Sequence, residues 1–224
     1  MHPAWRALHT PAPLYQPGCP LAEVILTPEL ATRPRRRIDP AAQQRALANL
    51  TEAMNGSPEE ILQALVDNLL VLCDAQSAGI SVEDRSVDPP VFRWHAIAGQ
   101  LGGFVGGTMP RHFSPCGETV ARNEPVLMRD LTRHYPYASQ LNIALEEVLL
   151  VPFSVGGRPV GTVWVVAHTP DRRFGGDEVK CIANFTNFAS AAVTVIQNMN
   201  RINSANARLD RLAKSLRPQS APPM

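Results

Sequence analysis

The sequence predicts an α+β domain organised around an antiparallel sheet. Residues 147–168 hold two runs rich in Val, Leu, Phe and Trp on either side of Gly156-Gly157. β-Branched and aromatic side chains suit a pleated surface, and Gly-Gly supplies the positive φ angles of a tight hairpin turn. A second pair of strand-like runs, 79–83 and 91–98, flanks the turn Asp88-Pro89-Pro90. Helical periodicity frames these strands at both ends of the chain, in residues 40–73 and again from Asp177 onward.

Taken in order, the chain opens with seven prolines in residues 1–37: Pro3, Pro11, Pro13, Pro17, Pro20, Pro28 and Pro34. They predict an extended or disordered tail over residues 1–38. Within it, 21–26 reads as a short strand or docking peptide. Arg33, Arg35, Arg36 and Arg37 read as a solvated linker, with contact to an acidic partner as the alternative. The domain proper spans 39–200. Asp39-Pro40 is an N-cap with proline at the first helical position; Leu47, Leu50 and Met54 share one face, and Gly56 stops the helix. Ser57-Pro58-Glu59-Glu60 starts a second helix with a capping box. Its buried stripe is Ile61, Leu62, Leu65, Leu69 and Leu72, with Cys73 on the same side.

In the first hairpin Ile80 and Val82 share a face. Phe92, Trp94 and Ala96 point inward, with Arg93 and His95 opposite. Residues 99–107 contain five glycines but lack the Lys of a phosphate-binding loop, so a flexible loop is expected. Ser114 caps, and Pro115 begins, a short helix ending near Asn123. A short strand at 126–128, an aromatic loop from Arg133 to Tyr137 and one helical turn at 142–146 lead to the second hairpin. Its strands, 147–155 and 160–168, do not alternate cleanly, which predicts cover on both faces. Pro152 cannot donate a ladder hydrogen bond, so its strand must be unpaired or bulged on one side there.

Asp177 is expected to cap the last helix. Val179, Ile182, Phe185, Ala189, Ala192, Ile196 and Met199 recur at spacings of three and four. Ile202, Ala205, Leu209, Leu212 and Leu216 continue after one short step of three, which resembles a coiled-coil stammer. Residues 201–217 form a helical extension without a sheet to lie on, which predicts a homodimer. A disordered tail follows at 218–224.

Composition excludes several classes. With 21 basic and 20 acidic residues the net charge is +1, which argues against a nucleic-acid partner. No run approaches the ~18 apolar residues of a membrane span, and no signal peptide is evident. Cys19, Cys73, Cys116 and Cys181 form no Cys-x-x-Cys pair, which fits a reduced, cytoplasmic setting.

The element order, together with Val151-Pro152-Phe153, Gly157, Gly161 and the aliphatic run that follows, resembles the GAF domain family over about residues 40–200. Phe113-Ser114-Pro115-Cys116-Gly117 and the Arg133 to Tyr137 loop resemble GAF input modules of bacterial sensor histidine kinases. The resemblance implies a central antiparallel sheet with the N- and C-terminal helices on one face and a cap of loops and short helices on the other. Sheet and cap can enclose a small ligand, for which Phe113, Cys116, Met128, Arg133, Tyr135, Tyr137 and Trp164 are the candidate residues. Neither residues nor resemblance names a cofactor.

Cys116 sits where the amides at the start of a helix favour a thiolate, which makes it the most reactive of the four cysteines if the pocket is functional. The bland alternative is a small side chain packed beneath the cap. His112 and Cys116 are four apart, but Pro115 and the cap break the helix between them, so no metal site is expected. His134 reads as a polar loop residue and His168 as a strand end at the rim. The photoreceptor branch of the family attaches a bilin through cysteine next to histidine; here Arg133 precedes His134, so that attachment lacks its nucleophile. A GAF-type free-methionine sulfoxide reductase needs a resolving cysteine near the nucleophile. No nucleophile, base and orienter stand together here, so no turnover is expected. The expectation is a sensory or regulatory module, with a small-molecule ligand and a signalling partner protein; the alternative is a ligand-free scaffold that dimerises or docks a partner.

Overall fold

The computed structural model describes residues 16–215. The expectations for residues 1–15 and 216–224, Leu216 and the tail at 218–224 included, lie outside the described residues. Helices α1 (Pro40–Ala53) and α2 (Pro58–Leu72) come first, and each begins with a local signal. The Asp39 side chain accepts from the amides of Ala41 and Ala42, and Ser57 and Glu60 form a reciprocal capping box. Strands β1 (Ser77–Asp84) and β2 (Val91–Gly99) make the first hairpin, and β3 (Thr108–Pro110) adds to its outer side. Helix α3 (Pro115–Arg122) and strand β4 (Val126–Arg129) precede the second hairpin, β5 (Glu147–Val155) and β6 (Arg158–Ala167). Helix α4 (Gly176–Ser215) closes the described chain as one continuous helix of 40 residues.

The six strands form one antiparallel sheet in the order β3-β2-β1-β6-β5-β4. Gly156 and Gly157 turn the second hairpin at φ +59° and +76°, as the Gly-Gly pair predicts. Pro152 lies beyond the stretch of β5 that β4 covers, which ends at Leu150, so its missing donor leaves no gap in that pairing. Alternation sorts the strands into two layers. Leu149, Val151, Val163 and Val165 join α2 and α4 in one apolar cluster; Val148, Leu150, Trp164 and Val166 join α3 and the neighbouring turns in another.

Several expectations change. Ala96 does not share a face with Phe92 and Trp94: Ile80 pairs with Ala96 and Ser81 with Trp94, so His95 is bulged and the alternation flips there. Ala96 therefore packs on the helix side and Trp94 beneath the cap. Strand β3 was not expected from the glycine-rich stretch. The helical turn expected at 142–146 lies earlier, as 3-10 turns over Leu131–Arg133 and Pro136–Leu141, and Asn142 ends the second at φ +51°. In α1, Leu50 and Ala46 are buried, whereas Leu47 and Met54 face outward.

The proline-rich stretch is not an extended tail over residues 16–38. Two 3-10 turns, Leu21–Glu23 and Thr27–Ala31, bring it alongside β4, where Ile25 bridges Met128. The arginine cluster is a solvated linker only in part: Arg35 and Arg37 are exposed, whereas Arg33 is drawn into the fold. Arg33 holds Glu147, Arg35 holds Asp177, and Arg36 lies 3.5 Å from Glu178. Asp177 is thus spent on Arg35, and the start of α4 is secured instead by Glu178, whose carboxylate accepts from the Gly175 amide at 2.8 Å.

Helix α4 carries two stripes. Ile182, Phe185, Ala189, Ala192 and Val193 are buried against the sheet. Val195, Met199, Ile202 and Leu209 are all more than two-fifths exposed and keep a 4-3-7 spacing, with no short step. The stammer expected from sequence arises from merging these two stripes. Contrary to the reading that no run is apolar enough to span a membrane, α4 qualifies over Gly176–Leu209 by length and composition. Its buried stripe accounts for part of that apolarity.

Candidate functional site

The site lies between the sheet and the cap. Ser114 accepts a hydrogen bond from the Gly117 amide at 3.1 Å and opens α3 with Pro115 in its first turn. A side chain at Gly117 would collide with the Arg111 carbonyl at 2.1 Å, so glycine there lets α3 sit close over the preceding loop. The helix delivers Cys116 onto β6, where Thr162 Oγ1 lies 3.2 Å from its sulfur. Gly79 faces Trp164 across the β1–β6 ladder, and a Cβ there would meet the indole at 2.2 Å. That absence of a side chain lets the Trp164 ring lie across β1 and donate from Nε1 to Ser81 Oγ at 2.9 Å.

Trp94 on β2 packs at 6.1 Å from Trp164, and between these indoles, α3 and the turn at Pro136–Leu141 lies a cavity. It has about 60 Å³ of space open to the centre of a water molecule. Val148 and Leu150 of β5 and Val166 of β6 form its floor; Thr108, Cys116 and Tyr137 are the few polar side chains in its wall.

Of the seven residues singled out in the sequence, Cys116, Tyr137 and Trp164 line this cavity together. Phe113 stands outside it, within an aromatic cluster at 4.9 Å from Tyr135 and 6.0 Å from Tyr137; its carbonyl accepts from the Tyr137 hydroxyl at 3.1 Å. Tyr135 is buried in that cluster, and burial pushes its phenol well above the usual range. Met128 is fully buried on β4 under the cap without reaching the cavity wall. Arg133 is exposed and pairs with Glu23. Sequence reasoning missed Val148, Leu150 and Val166, although alternation on β5 and β6 already separates them from Leu149, Val151 and Val165; it also missed Trp94, whose place beneath the cap depends on how β2 pairs with β1.

Two of the histidines are held in place by backbone carbonyls. His134 Nδ1 donates to the Cys19 carbonyl at 2.6 Å. His168 is not at an open rim: it is buried, its Nδ1 donates to the Ala144 carbonyl, and its Nε2 accepts from Ser77 at 2.8 Å. Among the described residues no group of three or more His, Cys, Asp or Glu side chains is placed to hold a metal ion.

Cys116 does not become the thiolate that its helical position suggests. It is 1% exposed, and burial pushes its thiol up by more than the hydrogen bonds with Ser81 and Thr162 lower it. Cys73 and Cys181 neighbour each other in the helix-side cluster, and their shared hydrogen bond, reinforced by burial, pushes the Cys73 thiol up. Both are separated from Cys116 by the sheet, so neither is placed to resolve it. At neutral pH iodoacetamide is expected to label the partly exposed Cys19 at least about tenfold faster than Cys116. Peptide mass spectrometry of timed samples measures this, and equal or faster labelling of Cys116 would refute its shielding.

A six-stranded antiparallel sheet with a helical layer on one face and a capped apolar cavity on the other defines a class of small α+β domain. The model of the GAF domain matches residues 55–194, and the chain belongs to the GAF domain family. Such domains are in general sensory or regulatory modules. No curated protein matches the sequence. Among solved structures, the GAF domain of an Acinetobacter phosphoenolpyruvate-protein phosphotransferase is 15% identical at a TM-score of 0.62, over 73% of this chain and 97% of that one. The second GAF domain of DevS from Mycobacterium smegmatis is 15% identical at 0.52, over 65% and 99%. The free methionine-R-sulfoxide reductase from Neisseria meningitidis, solved with its substrate, is 13% identical at 0.58, over 75% and 98%. At these identities the likeness is one of fold.

Proposed function

We propose that this chain is a non-catalytic, cytoplasmic sensory module that binds a small, mostly apolar molecule between sheet and cap and signals through paired α4 helices in a homodimer. One observation carries this reading. Strands β5 and β6 present Val148, Leu150, Trp164 and Val166 to the cavity, while their alternate residues Leu149, Val151, Val163 and Val165 pack in the same cluster as α4. A ligand that shifts these strands acts on the helix that carries the exposed stripe. The neutral, buried Cys116 thiol favours ligand binding over redox sensing, and its distance from the other buried cysteines disfavours sulfoxide reduction. A signalling protein that reads the α4 pair is the implied partner.

Native mass spectrometry and an absorption spectrum of the purified full chain test this reading. A retained small-molecule mass that is released on unfolding is the expected result. A bare chain whose cap-side resonances are unmoved by small apolar compounds would favour the ligand-free scaffold.

A further inference from the structure

Three arginines from separate parts of the fold converge on one carboxylate. The side chain of Glu83, next to the end of β1, is only 3% exposed. Arg85 Nε lies 2.9 Å from its Oε2, and Arg85 Nη2 donates to its Oε1 at 3.1 Å. Arg111, just beyond β3, donates from Nε to Oε1 at 2.7 Å. Arg158, the first residue of β6, donates from Nη2 to Oε2 at 2.8 Å. Burial opposes ionisation of Glu83, but the hydrogen bonds from these arginines outweigh it and hold the carboxyl below its usual range. The cluster is unbalanced: three guanidiniums stand against one carboxylate, a surplus of two positive charges. Among the described residues no other acid pairs with them, and the neighbouring Asp84 is taken by Arg93 at 2.9 Å. Donors are in surplus too, since three guanidiniums carry about fifteen N–H groups and a carboxylate offers about four lone-pair sites. They are within reach of solvent: the side chains of Arg85, Arg158 and Arg111 are 58%, 54% and 28% exposed. Arg111 is steadied by Phe92, whose ring centroid lies 5.7 Å from the guanidinium carbon.

We infer that Arg85, Arg111 and Arg158 form a second binding site, which takes the dianionic phosphate group of a phosphate monoester or of free phosphate. None of the three lines the cavity, so the site stands independently of the ligand-binding reading above. Charge and shape give its chemistry. A dianion cancels the surplus, whereas a carboxylate leaves one positive charge over. Guanidinium forks match phosphate oxygens through paired, charge-assisted N–H bonds. The donors gather round one point rather than along a line, and the whole chain carries a net charge of only +1. A long polyanion such as a nucleic acid therefore has no row of cations to follow. Glu83 already holds the three guanidiniums together, which lowers the cost of ordering them around an anion.

The test titrates inorganic phosphate into the full chain labelled with 15N, at about pH 8, where phosphate is largely doubly ionised. Sodium acetate at equal ionic strength is the comparison. Phosphate is expected to move the amide signals of Glu83, Arg111, Gly157 and Arg158 to saturation. It should bind at least about tenfold more tightly than acetate. Arg158→Gln is expected to weaken phosphate binding about tenfold, the loss of one hydrogen bond between charged groups. A Gly-phosphoserine-Gly peptide with blocked ends is the second probe. Tighter binding than inorganic phosphate identifies the source as a phosphorylated side chain of a partner; equal or weaker binding identifies it as free phosphate. Equal affinity for acetate and phosphate, shifts that never saturate, or an Arg158→Gln chain that binds phosphate undiminished would overturn the site. Should Arg158→Gln not fold, Arg85→Gln, at a side chain that is also exposed, carries the same expectation.

Discussion

Glu147→Ala is expected to destabilise the fold by about 3–5 kcal/mol, the range for removing one partner of a buried ion pair. Glu147 opens β5 with a fully buried side chain. Its carboxylate accepts from Arg33 at 2.8 and 3.0 Å and from the Phe174 amide at 2.7 Å, with Arg129 at 3.5 Å. Arg33 is itself only 10% exposed and also donates to the Phe174 carbonyl at 2.6 Å. Burial alone would lower the Arg33 pKa, but the hydrogen bonds that Arg33 donates to Glu147 and Glu29 outweigh it and hold the charge in place. With the carboxylate gone, a guanidinium remains buried with the exposed Glu29 as its acidic partner, and the Phe174 amide loses its acceptor. This pair is one of the ties that hold the N-terminal segment to the sheet, beside its backbone hydrogen bonds with β4, so that segment should loosen as well. Urea unfolding measures the loss, and hydrogen exchange over residues 20–33 reports the release. Glu147→Gln, which keeps the shape and an acceptor for Phe174, is expected to cost less. A loss below about 1 kcal/mol for Glu147→Ala, the size of an ordinary substitution, would show that the pair is not structural.

The second large effect is expected at α4. Val195, Met199, Ile202 and Leu209 are 45–63% exposed on one stripe. Full burial of such groups is worth roughly 1.5–3 kcal/mol each, and an isolated helix has little stability of its own. The 4-3-7 spacing is that of a coiled-coil seam, with Asn206 at the position between Ile202 and Leu209 where a single polar residue fixes register. Sedimentation should find a dimer at tens of micromolar. Ile202→Glu, which sets two like charges into the seam, should weaken it by roughly a hundredfold, about 3 kcal/mol. Truncation after Asn200 should leave a monomer with the sheet intact. A full chain that stays monomeric, or a truncation that dimerises equally well, would rule out the terminal-helix interface.

What was legible in the sequence was local. The Ser57–Glu60 capping box, the Ser114 cap with its left-handed Asn123 at φ +53°, and the Gly156-Gly157 turn are each specified within a few residues. What was not legible depends on partners far along the chain. Arg33 and Glu147 are 114 residues apart, so the arginine cluster reads as solvated until the fold brings its carboxylates to it. The cavity needs Trp94 beside Trp164, and the bulge at His95 that places Trp94 on the cap side is a property of pairing with β1. Cys116 shows both sides of this limit: its position in the helix was readable, whereas the burial that overrides the amide dipoles comes from β6.

The strap formed by residues 20–33 has a consequence for how copies of this chain can meet. A sheet offers unpaired backbone groups along its outermost strands, and those are natural templates for joining a second sheet. Here β4 is already occupied: Leu26 donates to the Leu127 carbonyl, Arg129 donates to the Val24 carbonyl, and Leu127 donates to Thr27 Oγ1. At the opposite margin β3 is three residues long and ends in Pro110, which has no donor to offer. Both edges are thereby blunted against strand-to-strand growth, so the dimer proposed here has to form through helical surfaces.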